Sequence, residues 1–335
     1  MAIIFDQVSL QFPQAPRPAV NNCSFQVADG EFVVILGSSG CGKTTLLKMI
    51  NRLYEPTKGK IYLNGTDISQ IPVTQLRQQI GYVIQQSGLF PHMTVAQNIG
   101  VVPKLLGWSK SQIQSRIDEL LLLVDLPPIE YRQRYPAQLS GGQQQRVGLA
   151  RGLAGNPQVM LMDEPFGAID AITRTSLQDE ILQLQRKLQK TILFVSHDVE
   201  EALKLADKIL ILQQGEILQH DTPWGILTKP ANDFVRDLVG AEDIVRQLSL
   251  LRVASFMTPM RDLGNINLNN LNNLDINDAS SLPLIDQDSH LRQALSLLLK
   301  TGAETLQVMN AGVAVGTIAL KDITTLAQTG SKLEP

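Results

Sequence analysis

From the first residues to about position 240, short continuous apolar runs alternate with segments whose apolar residues recur every three or four positions. The first pattern suits strands buried on both faces, the second helices packed on them, and their alternation predicts an α/β fold with a parallel sheet and crossover helices. Phe32, Val33, Val34, Ile35 and Leu36 form one such run, and Leu46, Leu47, Met49 and Ile50 mark the apolar side of the helix after it. Leu177, Ile181, Leu184 and Leu188 keep helical spacing and lead into a β-branched and apolar run at Thr191–Val195. Ile209–Leu212 and Glu216–Leu218 flank Gln213-Gln214-Gly215, the composition of a hairpin turn.

The pattern changes further on. Between Asn265 and Asn277, asparagine and leucine dominate with neither a strand nor a helix period, which predicts an irregular surface segment. Asp288 or Ser289 is then placed to cap a helix carrying Leu291, Ala294, Leu295 and Leu298, with Gly302 placed to end it. Strand-like runs at Leu306–Met309 and Val313–Ile318 complete a small β-α-β-β unit. At 335 residues the chain exceeds one core of usual size. The expected division is a main domain over 1–240, a linker with the Asn-rich segment over 241–280, and a C-terminal domain over 281–335 whose module starts as early as 253.

Composition narrows the class. Apolar residues make up 44% and charged residues 18%, enough to build a packed core. A net charge of -3 lacks the basic excess of a general nucleic-acid binder, so no nucleic-acid partner is expected. No run approaches the roughly 20 apolar residues that span a bilayer, so a membrane role must come through partners. The opening Met1-Ala2-Ile3-Ile4-Phe5-Asp6 has no basic region before an apolar core, and the two cysteines, Cys23 and Cys41, make no disulfide framework. A cytoplasmic location is expected.

Gly37-Ser38-Ser39-Gly40-Cys41-Gly42-Lys43-Thr44 matches G-x-x-x-x-G-K-[ST] between a predicted strand and helix. Its glycines let backbone N–H groups converge on phosphate oxygens, Lys43 supplies a cation, and Thr44 offers a hydroxyl to Mg²⁺, with Thr45 beside it. Cys41 reads as a small filler, or as a thiol whose alkylation would block the loop. Val159-Met160-Leu161-Met162 is an apolar run that delivers Asp163 and Glu164 at its end. Asp163 suits Mg²⁺ and Glu164 suits the orientation of an attacking water, the two tasks phosphoryl transfer needs beyond phosphate binding.

Leu139-Ser140-Gly141-Gly142-Gln143 closely resembles the signature of the ATP-binding-cassette (ABC) family. The resemblance implies a P-loop NTPase core of ABC type with a helical subdomain over about 86–158, and a head-to-tail homodimer. Each ATP then lies between one copy's Lys43 loop and the other copy's Ser140, Gly141, Gly142 and Gln143. It further implies adenine stacking on Phe12, a Q-loop role for Gln85 in catalysis and at the metal, a D-loop at Gly167-Ala168-Ile169-Asp170 with Gly167 in place of the more frequent Ser, and a switch histidine at His197. ATP and Mg²⁺ are the implied cofactors. His92, His220 and His290 have no such support. A kinase or GTPase needs neither the signature nor Gln85 and His197.

Met49-Ile50-Asn51-Arg52-Leu53, Glu55-Pro56-Thr57 and Asp163-Glu164-Pro165-Phe166-Gly167-Ala168 resemble the ATPases that drive uptake of glycine betaine, choline and related quaternary amines. That implies separate integral membrane permease subunits, a substrate-binding protein, and a place at the cytoplasmic face of the membrane; another small-solute cargo or a non-transport ABC ATPase is the alternative. Residues from about Val253 to Ala327 resemble one regulatory module of the cystathionine-β-synthase (CBS) type, a small α+β fold. The likeness rests on Met257-Thr258-Pro259 and on Val315-Gly316-Thr317-Ile318-Ala319-Leu320-Lys321-Asp322. Ala319 stands where such a module usually offers a hydroxyl, while Asp322 is kept.

Overall fold

The computed structural model describes residues 2–85, 88–167, 169–260 and 282–329. Contacts divide the chain into two units, Met1–Thr222 and Pro223–Pro335.

The first unit is built on two sheets. Its strands are β1 (Ile3–Leu10), β2 (Val20–Val27), β3 (Phe32–Leu36), β4 (Lys58–Leu63), β5 (Thr66–Asp67), β6 (Ile80–Val83), β7 (Val159–Asp163), β8 (Thr191–Val195), β9 (Lys208–Gln213) and β10 (Glu216–Asp221). The larger sheet has the order β10-β9-β3-β8-β7-β6, and the smaller has the order β2-β1-β4-β5. In the larger sheet every pairing is parallel except β9 with β10. Every residue of β3 and β8 is buried, which is why these strands read as unbroken apolar runs rather than as alternation. The β9–β10 hairpin turns on Gln214 at φ 48° and Gly215 at φ 85°, the two positive values a tight turn of this hand requires.

Between β6 and β7 lie the helices Val95–Leu105, Lys110–Leu123, Pro128–Tyr131 and Gly141–Leu153. The first, second and fourth each open on a reciprocal cap, Thr94 with Gln97, Ser109 with Gln112, and Ser140 with Gln143. In each, the cap hydroxyl accepts from the third backbone N–H and the glutamine accepts from the cap's own N–H.

The second unit begins with helices Pro223–Thr228, Asp233–Val239 and Ile244–Leu248. Strands β11 (Thr258–Pro259), β12 (Leu284–Asp286), β13 (Thr305–Asn310) and β14 (Val313–Ala319) follow, in the order β11-β14-β13-β12. Helices Leu291–Thr301 and Leu320–Thr329 pack with them. The boundary expected at 240 falls inside this unit, since Trp224 packs against its buried core, and Leu248 and Leu251, from the expected linker, belong to that core with Leu291, Leu298, Leu306 and Ile318. The helix over 291–301 is capped by His290, not by Asp288 or Ser289: the His290 N–H donates to Gln293 Oε1 at 3.0 Å. Gly302 ends it at φ 69°, as its position suggested. The Asn-rich stretch lies outside the described residues, and among those described no helix is long and apolar enough to cross a membrane.

Asn98, fully buried on helix Val95–Leu105, holds the entry to the helical region. Its Oδ1 accepts from Phe90 N–H at 2.8 Å, and its Nδ2 donates to the carbonyls of Phe90, Met93 and Thr94. Asn98→Ala leaves those groups unpaired and should lower the urea midpoint at unchanged slope, by the equivalent of about 1–3 kcal/mol; an unchanged midpoint would mean that water replaces the amide without cost.

Candidate active site

The order β3-β8-β7-β6 puts four loops side by side at the carboxyl edge of the parallel sheet, where open α/β sheets place their sites. The phosphate loop follows β3, Ser196 and His197 follow β8, Asp163 and Glu164 end β7, and Gln85 follows β6. Residues more than a hundred positions apart are therefore neighbours because their strands are.

The phosphate loop wraps tightly between β3 and helix Lys43–Ile50. A Cβ on Gly37 would lie 2.2 Å from the Leu212 carbonyl oxygen, and one on Gly42, at φ 111°, would lie 2.4 Å from that of Ala19. Only glycine fits either place. Lys43 is 5% exposed, and its Nζ donates to the carbonyls of Gly37 at 2.7 Å and Ser38 at 3.0 Å. Ser38, Ser39 and Gly40 form the exposed rim, with Thr44 and Thr45 half-buried on the helix. Thr44 Oγ1 donates to Asp163 Oδ1 at 2.8 Å. Burial pushes the Asp163 carboxyl above its ordinary range, with the Thr44 hydrogen bond and Lys48 and Lys43 acting against it and Glu164 adding to it.

Among the described residues, no cluster of three or more His, Cys, Asp or Glu could cage a metal. The Thr44 hydroxyl and the Asp163 carboxylate are instead two hard oxygen donors beside a phosphate loop, the donor set that fits Mg²⁺ completed by phosphate oxygens and water.

Glu164 stands at φ 45° directly after β7, with its N–H donating to Val195 O at 3.1 Å. Its Oε2 accepts from Gln85 Nε2 at 3.2 Å and lies 3.3 Å from His197 Nδ1. One carboxylate oxygen thus joins three of the four loops. Gln85 is itself anchored: its carbonyl accepts from Nε2 of buried Gln145, a residue that sequence reasoning passed over although it sits two positions after Gln143.

Other anticipated residues lie elsewhere in the unit. Ser140 caps helix Gly141–Leu153, Gly142 is buried there, and Gln143 Nε2 donates to the Tyr131 hydroxyl at 3.1 Å. Asp170 caps helix Ala171–Leu188, its Oδ1 accepting from Thr173 N–H at 3.1 Å. Phe12, half-buried after β1, meets Tyr54 edge-on at 5.2 Å between ring centres.

The ABC transporter family model matches residues 20–167. The glycine betaine uptake system ATP-binding protein YehX of Escherichia coli strain K12 is 45% identical over 323 residues, covering 96% of this chain and 98% of the relative. The chain belongs to the ABC transporter family. The choline transport ATP-binding protein OpuBA of Bacillus subtilis strain 168 is 56% identical over 233 residues, 70% of this chain and 61% of that protein. The chain thus spans under two thirds of that relative's length. An ABC cassette of solved structure, dimeric MJ0796 in a post-hydrolysis state with ADP and Pi, is 31% identical with a TM-score of 0.60, over 66% of this chain and 98% of that one.

Cys41, inside the family's phosphate loop, is 4% exposed, and burial pushes its thiol up against the opposing pull of Lys43. Burial both shields a thiol and disfavours its nucleophilic thiolate, which weighs against the alkylation-sensitive alternative. Iodoacetamide at pH 8 should leave Cys41 unmodified in the folded chain over a time that fully labels a denatured sample, read by peptide mass; rapid labelling of the folded chain would contradict this burial.

Proposed function

We propose that this chain hydrolyses ATP as a homodimer to drive uptake of glycine betaine or a related quaternary amine through separate integral membrane permease subunits. The observation that carries the ATPase reading is the Glu164 carboxylate, held by Gln85 and His197 two strands along the sheet from the Lys43 loop. The cargo reading rests on the relative named for glycine betaine uptake, whose likeness runs through both units of the chain.

In this reading Lys43 and the loop N–H groups hold the β- and γ-phosphates, with Phe12 beneath the adenine. Thr44 and Asp163, with Gln85, hold Mg²⁺, which when bound neutralises charge on the phosphate oxygens. Glu164 accepts a hydrogen bond from the attacking water and polarises it; as the water oxygen bonds to the γ-phosphorus, the bond to the β–γ bridging oxygen breaks. His197 stands at the γ-phosphate side of Glu164. Ser140, Gly141, Gly142 and Gln143 of a second copy complete the phosphate shell, and Asp170 lies at the same junction. Ser140 Oγ caps its helix as an acceptor from Gln143 N–H, so its O–H proton, the N–H groups of the first turn and the positive end of that helix are what this helix start can present to an anion.

The permease subunits place the chain at the cytoplasmic face of the membrane, with a substrate-binding protein delivering cargo on the other side. We read the β11–β14 region as a CBS-like module, a dimer clamp or a stabilising appendage. Support comes from the pairing of Thr258 with Thr317 and Pro259 with Gly316, which joins the two stretches that carry the resemblance, and from Ala319 N–H donating to Asp322 Oδ2 at 3.1 Å.

Glu164→Gln should bind ATP normally while turnover falls by roughly 10²- to 10⁴-fold; undiminished turnover would remove Glu164 from the mechanism. In liposomes holding the permease complex, glycine betaine should stimulate hydrolysis and be taken up. Hydrolysis indifferent to betaine would redirect the cargo assignment and leave the ATPase reading standing.

A further inference from the structure

His197 is held by little of its own. Its side chain is 64% exposed, so its position opposite Glu164 is set by the backbone of residues 196–198 rather than by packing around the ring. That backbone is tied down from behind. Ser196 is 2% exposed, its N–H donates to Ile35 O at 3.2 Å, and its Oγ both accepts from Asp198 N–H at 2.9 Å and donates to Glu201 Oε2 at 2.6 Å.

Glu201 is a carboxylate 6% exposed on the first turn of helix Val199–Leu205, where an uncompensated charge is costly. Its other oxygen, Oε1, faces Gln178 Nε2 at 3.5 Å and Arg174 Nε at 4.0 Å, both from helix Ala171–Leu188. Arg174 then spreads over two loops: Nη1 lies 3.5 Å from Asp198 Oδ2, and Nη2 donates to the carbonyl of Ile169 at 3.2 Å. Ile169 immediately precedes the helix cap Asp170. The same side chains, Arg174, Ser196, Asp198 and Glu201, line one small recess with Glu164 and His197.

The geometry points to Glu201 and Arg174 as positioning residues: together they fix the 196–198 backbone that aims His197 at Glu164, and bind it to the Ile169–Asp170 turn so that the two loops move as one. This rests on His197 acting in hydrolysis as proposed above. A planar guanidinium can span two acceptors on different loops, which a lysine cannot do with the same geometry. Burial pushes the Glu201 carboxyl above its ordinary value, with the Ser196 hydroxyl the largest influence holding it down. Displacing a catalytic group by about 1 Å can cost on the order of a hundredfold in rate, so removing this tether should lower kcat and leave nucleotide binding alone.

The test is ATP turnover by the full-length chain, with kcat and KM measured separately and folding followed by the thermal midpoint. Glu201→Ala and Arg174→Ala should each lower kcat roughly tenfold to a hundredfold with KM for ATP little changed, and Glu201→Gln, which retains an acceptor for Ser196, should recover part of the loss. A residue that merely supports the fold would add its effect to any other, whereas one that works through His197 cannot. In a His197→Ala background, Glu201→Ala should therefore change residual single-turnover hydrolysis by less than about twofold, the mark of residues that act as one unit. If His197→Ala hydrolyses ATP normally, the role proposed for His197 fails. If His197→Ala is slow but Glu201→Ala is normal, or adds its full effect in the His197→Ala chain, the positioning role is overturned. Should Glu201→Ala not fold, Ser196→Ala cuts the same link with a smaller change of volume; a kcat unchanged in that variant overturns the proposal as well.

Discussion

Glu164 is held in a backbone conformation that non-glycine residues seldom adopt, and the chemistry of the cassette depends on it. At φ 45° the chain leaves β7 abruptly, so that Asp163 still pairs with Val195 in the sheet while the next carboxylate swings to Gln85 and His197. Such a residue costs on the order of 1–3 kcal/mol and persists only where its surroundings over-determine it. Here the surroundings are the fully buried strand β8, the buried run Val159–Met162 of β7 and a hydrogen bond from Glu164 N–H to Val195 O. The parallel sheet thereby delivers two adjacent, half-buried carboxylates with different neighbours: Asp163 accepting from the Thr44 hydroxyl, and Glu164 turned to the facing loops.

The remaining parts of the site hang on the same edge. Glycines let the phosphate loop pass within contact of Ala19 and Leu212, and Lys43 is folded back onto the loop's own carbonyls. A phosphate competing for that ammonium needs no distant side chain to move. The signature helix is different in kind. Its cap is satisfied internally, by Ser140 and Gln143, and the partners found for Gln143 lie in its own helical region. In the proposed homodimer, the first turn of this capped helix serves another copy's nucleotide.

Much of this was legible in the sequence because each chemical motif is short and sits at a strand end. Gly37–Thr44 and Asp163-Glu164 could be placed from their own pattern and flanking apolar runs, and His197 through the family resemblance together with the strand before it. What could not be read was strand order, and so neither the meeting of Gln85, Glu164 and His197 at one oxygen nor the Arg174–Glu201 tether was visible; their partners lie on separate elements. The capping boxes at Thr94, Ser109 and Ser140 carried an unused signal, a hydroxyl residue followed three positions later by Gln. The unit boundary differed from the expected one for a related reason: the helices after Pro223 continue a helical pattern in sequence, yet Trp224 and Leu248 contribute to the C-terminal core. At the last domain's helix, two plausible caps stood one and two residues before the real one, which the bond from His290 N–H to Gln293 Oε1 marks.

In the proposed dimer one chain holds only half of each ATP site. Sedimentation velocity of the Glu164→Gln chain, with and without MgATP, tests it most directly. The claim predicts that saturating MgATP converts monomer to dimer and that a bulky substitution at Ser140 abolishes the conversion while leaving nucleotide binding intact. A chain that binds ATP to saturation and sediments as a monomer would contradict it.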